Sequence, residues 1–555
     1  MIGNFLYLCT QKFTENRETV LPMIMTKPLT TILTLLFLFS ASMMQGKNDV
    51  EMITINVDST LTPTHKITAH MKAGNYDGPI GIKLRGNSSL SFNQKKYTIE
   101  LRNNDGKKLD APLMGMPAHS DWVLLAPYND VSAVRDPLAF QLWRDMGHWG
   151  PRTRMVQLTL NGEYRGIYIL SEAIKRGEQR VNINKLKKTD TQGRDVTGGY
   201  LLRIDTFNDD DATFISKVPG IGDGIMTSQI TWSCIYPKKK KLQPEQMDYI
   251  QNFVDTVEQV IQSDFFADPK RGYARYIDVP SFVDYFIHTE LSLNADGYKR
   301  SAYFYKEKMH ADGTGGKLVA GPVWDYNLAY GNCNFCNANN IEAWCFEGGN
   351  TNPTPAFWQR LLQDPAFRKA VKVRYQALRK TVLSNKAINR YIDQHAKLLA
   401  PYLDRHFEIY PELFGTNDST ALAGFAGFGG FPPMGQFPMG EMPQMGEMPQ
   451  IGQFPMGQFP MGEMPPMGQF PMGEMPPMGE MPGFGGNMIS WFAAYRVQSY
   501  DEEIKVLKQW LADRLSFLDR NIARFDKDWQ PRIQELKEIK VPQFGGFGNF
   551  GGFPF

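Results

Sequence analysis

Ile80-Gly81-Ile82-Lys83-Leu84-Arg85-Gly86-Asn87-Ser88-Ser89, continuing to Lys95-Lys96-Tyr97-Thr98-Ile99-Glu100-Leu101, places two short apolar runs around a polar turn. Alternation along Ile80–Leu84 and Tyr97–Leu101 predicts two strands with one face buried, and Gly86 with its hydroxyl-bearing neighbours predicts the turn between them. Asp121–Ala126, Met155–Leu160 and Gly166–Leu170 read as further strands, with Asn161-Gly162 a hairpin turn. A helix is predicted over Val134–Met146. After Gln243 the periodicity turns helical over Pro244–Ser263, Pro280–Leu293, Thr354–Leu383 and Lys386–Phe407. Strands first and helices later predict an α+β body with two lobes.

Ala421 to Gly486 is different in kind. Phe-Pro-Met-Gly and Glu-Met-Pro-Pro-Met-Gly units recur there, and so much Pro and Gly sustains neither helix nor sheet. The stretch reads as a disordered, tandemly expanded Gly/Pro/Met insertion, either an adhesive Met/Phe surface or a tolerated loop expansion. Beyond it, Ile504, Leu507, Trp510, Leu511, Leu515 and Leu518 form a helical apolar stripe that predicts a return to the folded body. The expected division is therefore 47–420 for the main domain, 421–486 for the repeat, 487–541 for returning helices and 542–555 for a Gly/Phe tail.

Near the start, Ile32 to Met43 is a short apolar core behind Lys27 and ahead of small residues, the pattern of a secretory signal peptide over 25–46. It is too short for a permanent span. Residues 1–24 carry mixed charge and read as an extension ahead of a start at Met23 or Met25. Export to the periplasm, cell surface or medium is expected. Sixty basic against fifty-eight acidic residues give a formal charge of +2, without the basic excess of a nucleic-acid binder. Outside the cytoplasm, Cys234, Cys333, Cys336 and Cys345 are compatible with two disulfides in any of three pairings or with free thiols. A zinc knuckle at Cys333, Cys336 and Cys345 lacks a fourth local ligand.

Three clusters could carry chemistry. The turn after Arg85 followed by Lys96 could hold a phosphate through backbone donors and a point charge, although such a turn also serves simply as a turn. Glu172, at the end of an apolar strand, could pair with a buried lysine or lie on a rim. Asn294-Ala295-Asp296-Gly297 and Trp324-Asp325-Tyr326-Asn327 bring two aspartates and an amide, which could bind a divalent cation or accept a hydroxyl proton. Paired carboxylates also serve glycosidases, but no aromatic carbohydrate platform accompanies these two.

The order of these motifs, with Asp121-Trp-Val-Leu-Leu, Arg135, Asn161-Gly-x-Tyr-x-Gly-x-Tyr and Ser171-Glu172 between them, resembles the CotH family of atypical, kinase-like phosphotransferases from Ile80 to about Asn332. The resemblance implies a distant protein-kinase architecture, with ATP and Mg²⁺ (or Mn²⁺) as cofactors and a protein Ser or Thr as phosphoacceptor. It implies Lys96 at the nucleotide phosphates with Glu172 as its ion-pair partner, Arg85 beside them, Asp296 as catalytic aspartate, and Asp325 with Asn327 at the metal. Ser301 stands where many members have an Asn metal ligand, and Asn327 where many have Asp. The alternative is a surface or structural protein that keeps the fold without turnover.

Overall fold

β1 (Glu51–Asn56), β2 (Ile67–Ala73), β3 (Tyr76–Arg85) and β4 (Lys96–Leu101) form an antiparallel meander. A small hairpin, β5 (Ala111–Leu113) and β6 (Met116–His119), precedes β7 (Asp121–Leu125), and β8 (Thr153–Leu160) and β9 (Glu163–Glu172) follow. In the computed structural model the order β1-β2-β3-β4-β7-β9-β8 closes into a barrel, sealed by parallel pairing of β1 with β8. Closure leaves no open edge on this sheet. Ile53, Ile82, Ile99, Trp122, Leu124, Leu158 and Leu170 fill its interior. The predicted strands and the Asn161-Gly162 hairpin are all present. Both turn residues have positive φ, 50° and 81°, which lets two residues reverse the chain without splaying the strands.

The structure describes residues 49–205, 211–222, 229–334, 336–348, 353–414 and 497–533. The signal segment, the repeat and the Gly/Phe tail lie outside them. Val50 onward forms one unit. Among the described residues no helix is long and apolar enough to cross a membrane.

A second sheet runs in the order β11-β13-β10-β14-β15, from β10 (Tyr200–Ile204), β11 (Ala212–Ile215), β13 (Thr231–Tyr236), β14 (Ala302–Lys306) and β15 (Leu318–Ala320), while the short β12 (Gly220–Ile221) pairs with β16 (Thr354–Pro355). The helices are α1 (Arg135–Asp145), α2 (Pro244–Gln262), α3 (Val279–Ser292), α4 (Ala356–Leu361), α5 (Pro365–Arg379), α6 (Asn385–Leu399), α7 (Leu403–Ile409) and α8 (Tyr500–Ile522). The single helix predicted over Thr354–Leu383 is two, because Pro365 starts a new helix with Asp364 as its N-cap, accepting from the Ala366 N–H at 2.8 Å. Pro401 likewise divides the segment predicted as one helix over Lys386–Phe407.

α8 packs against α3, α5 and α6, with Ile504, Leu507, Leu511, Leu515 and Leu518 in the main core. Two buried arginines bind it further. Arg135, at the start of α1, reaches Glu503 and Asp130 at 2.6 Å each. Arg514 of α8 donates to the carbonyl of Glu290 through Nε and Nη2 and to the carbonyls of Ile341 and Ala343 through Nη1. The Glu290 carbonyl belongs to the last turn of α3, where helical partners run out, so α8 supplies the cap of the helix that leads into Asn294.

Candidate active site

Lys96 opens β4, and its side chain alternates away from Tyr97 and Ile99, which fill the barrel. On the outer face its Nζ lies 4.0 Å from Oδ1 of Asp325. β3 ends beside it at Arg85, paired with Lys96 across the ladder. The Arg85 guanidinium lies over the Trp324 ring, 5.3 Å from the centroid, and Trp324 in turn stacks on Phe140 of α1. Between the strands, Gly86 adopts φ 126°, a region that side chains avoid, and a Cβ there would overlap the Ser89 hydroxyl. The tight approach lets Ser88–Ser91 form a short 3₁₀ turn, with the Lys95 ammonium donating to the carbonyl of Leu90 at 2.7 Å.

Asp325 follows β15 in an irregular segment and has φ 66°, a conformation that costs a non-glycine residue about 1–2 kcal/mol. Two side chains hold it there. The next N–H, of Tyr326, donates to Oδ1 of Asp136 at 2.6 Å, and Nδ2 of Asn294 donates to the Asp325 carbonyl at 3.1 Å. Oδ1 of Asn294 meanwhile accepts from the Asp296 N–H at 3.2 Å, so one amide side chain ties the two aspartate segments together. Nδ2 of Asn327 donates to Oδ1 of Asn129 at 2.8 Å. The loop after Asp325 is lashed to the start of α1 by Arg135 Nε on the Ala329 carbonyl and to the segment before it by Asn332 on the Asn129 carbonyl, Asn332 also donating to the Asn327 carbonyl.

The carboxylates crowd one another. Burial, and then the charge of Asp325, push the Asp296 carboxyl up to about 6 against the pull of Arg300 and Lys299. Asp136, buried in the first turn of α1, is pushed up to about 7 by burial and by Asp325, with Lys96 and the Tyr326 N–H pulling the other way. Among the described residues no group of three or more His, Cys, Asp or Glu is gathered closely enough to cage a metal. The donor set is hard oxygen all the same: a half-exposed Asp325 with Asn327 nearby suits a cation such as Mg²⁺, which keeps waters and takes substrate phosphates as its remaining ligands.

Lys96, Arg85, Asp325, Asn327 and Asp296 thus lie in one neighbourhood, joined through Trp324 and Asn294. Glu172 does not pair with Lys96 as expected. Its carboxylate accepts from Arg152 Nη1 at 3.0 Å and from the Arg152 backbone N–H at 2.9 Å, and lies 3.4 Å from Arg180 Nε. Sheet register is the reason. Ile99 pairs with Trp122 and Trp122 with Glu172, so Glu172 projects to the side of Ile99, opposite to Lys96. Sequence reading passed over Asp136, Asn129 and the bridging role of Asn294. Asp136 adjoins the noted Arg135, but nothing local distinguishes it from an ordinary acidic residue in a first helical turn. Cys234 and Cys345 are buried free thiols.

Fold and site together define an α+β protein whose charged centre lies where an outward-facing barrel lysine meets two aspartate loops. The family described as CotH kinase protein matches residues 82–427, and the chain belongs to that family. It is similar to the inner spore coat protein H of Bacillus subtilis (strain 168), at 22% identity over 318 residues, which cover 57% of this chain and 75% of that protein.

Proposed function

We propose that the chain is an exported protein kinase that transfers the γ-phosphate of ATP, with Mg²⁺ or Mn²⁺, to Ser or Thr of a secreted or surface protein. The observation that carries this reading is the 4.0 Å approach of Lys96 to Asp325, with Asp296 tied to the same point through Asn294. Phosphoryl transfer asks little covalent chemistry of a protein beyond alignment and charge neutralisation. A barrel lysine facing two aspartate loops supplies both.

Lys96 and Arg85 would hold the nucleotide phosphates, with the backbone donors of the Gly86–Ser91 turn available beside them. Asp325 and Asn327 would hold the cation, Asn327 through Oδ1, since its Nδ2 is committed to Asn129. The cation, when bound, neutralises charge on the transferring phosphate. Asp296 orients the acceptor hydroxyl and takes its proton, a role suited to a carboxyl raised to about 6, which is ionised near neutrality yet basic enough to accept. Asp136 and Asn294 are positioning residues that fix the backbone around Asp325. Glu172, with Arg152 and Arg180, builds the barrel wall rather than touching the nucleotide. The barrel would serve as the nucleotide lobe and the helical part as the acceptor lobe.

The test is incorporation of labelled γ-phosphate from ATP by the chain starting near Lys47, with Mg²⁺ or Mn²⁺ and casein-like or self acceptors. Transfer is expected in the wild type and its loss in Asp296→Ala and Asp325→Ala. Absence of transfer, together with absence of a metal-dependent thermal shift by ATP, would refute the reading in favour of a non-catalytic surface protein.

A further inference from the structure

Strand pairing sets Gly81 beside Glu100, Lys83 beside Thr98 and Arg85 beside Lys96, all on the outer face of the barrel, and Asp121 lies across from Glu100 on β7. Around Glu100 and Asp121 the cations collect. Lys66 Nζ is 2.6 Å from Glu100 and 3.7 Å from Asp121, and Lys108 Nζ is 2.9 Å from both. Arg102 Nε is 3.2 Å from Glu100 and Lys175 Nζ 4.0 Å from Asp121. Gly81 leaves room for the Arg102 guanidinium, which a Cβ there would push aside.

Both carboxylates are ionised. Burial opposes it at Glu100, but the hydrogen bonds and charges of Lys66 and Lys108 outweigh burial and bring the carboxyl down to about 2. At Asp121 burial is likewise outweighed, by Lys175, Lys108 and Lys66. Four cations on two carboxylates leave two positive charges over. The crowding is felt at Lys175, whose ammonium is brought down to about 8 by burial and, against Asp121, by Lys238, Lys108 and Lys66. Lys238, 4.0 Å from Asp211, opens the exposed run Lys238–Lys241, and Lys108 is exposed as well.

We propose that this outer face, from Lys96 past Glu100 to Lys238, is the docking lane for an acidic segment of the protein phosphoacceptor. Lys96 and Glu100 are four residues apart on one strand, about 13 Å, a distance that four or five residues of extended peptide span. Carboxylates of the bound segment lie at Lys108, Lys175 and Lys238 while its hydroxyl-bearing residue reaches Asp296. The interleaved Glu100 and Asp121 favour sparse carboxylates over a nucleic-acid backbone, whose dense phosphates they repel. The chain's formal charge of +2 agrees. The acceptor role rests on the kinase reading; the binding does not.

The test is fluorescence anisotropy of a labelled Glu/Asp-rich peptide with a central Ser, against its Gln/Asn counterpart, a single-stranded oligonucleotide and anionic vesicles, without ATP and with the chain from Lys47. The acidic peptide is expected to bind about tenfold or more tighter than the amide version at low salt and to lose that advantage near 300 mM salt. Lys108→Glu with Lys175→Glu should weaken it about tenfold. Lys240→Ala with Lys241→Ala, on the exposed run beyond Lys238 and its Asp211 partner, should weaken it about threefold without altering the fold. Equal binding of the two peptides, indifference to both variants, or tighter binding of the oligonucleotide or vesicles would each overturn the proposal. Acidic binding without phosphate transfer to that peptide or to any acceptor would refute the kinase reading alone, and transfer indifferent to peptide charge would refute the lane alone.

Discussion

Replacing Arg514 with Met tests whether the helix beyond the repeat is part of the body that carries the site. Arg514 is fully buried and holds Glu290 at 3.4 Å as well as three backbone carbonyls. Removing one member of a buried ion pair costs about 3–5 kcal/mol. The lower end applies here, because Glu290 keeps donors in Tyr298 and in the N–H groups of Cys345 and Phe346. Its carboxyl is already lifted to about 7 by burial, against the pull of Arg514 and these donors, so without Arg514 it takes up a proton near neutrality. The expected loss is about 3 kcal/mol, or about 4 °C in Tm for a domain this large. The sign with pH follows from linkage. A carboxyl whose folded pKa is raised contributes stability that is full below its unfolded value of about 4.5 and is lost as pH rises through the folded value. Arg514→Met should therefore lie closer to wild type at pH 6 than at pH 8 in urea unfolding, and Glu290→Gln added to it should flatten that difference. A Tm within about 1 °C of wild type, or a deficit equal at both pH values, would refute the account of Arg514 as a buried clamp.

Asp136→Ala should lower phosphate transfer about 10- to 100-fold by freeing the Tyr326 N–H, whereas Asp136→Asn, which can still accept from it, should retain more activity; steady-state rates at several Mg²⁺ concentrations decide this. With Asp296 as the base and its carboxyl at about 6, the rate should climb about tenfold per pH unit below that value and level off above it, in a pH–rate profile at saturating ATP. Gly86→Ala, which forces a side chain into φ 126° and against Ser89, should raise KM for ATP about tenfold while leaving kcat within about twofold.

The sequence by itself determined the local elements and the residue types at the site. Two-residue alternation marked the barrel strands, Asn161-Gly162 marked the hairpin, and three- and four-residue spacing marked α8, because these depend only on near neighbours along the chain. It also offered Lys96, Asp296 and Asp325 as candidates, but each local pattern equally fits an ordinary turn or surface residue, and their expected roles came from the order of motifs that resembles the CotH family. Pro365 starts a new helix inside a stretch whose periodicity alone runs on as one. Only the tertiary structure decided partners. The side to which Glu172 points depends on the register of three strands, and a shift of one residue would turn it toward Lys96. Asp136 gains its place beside Asp325 across 189 positions of chain, and Arg135 meets Glu503 across 368. No local pattern encodes such encounters: burial creates the need for a partner, and packing chooses which one answers it.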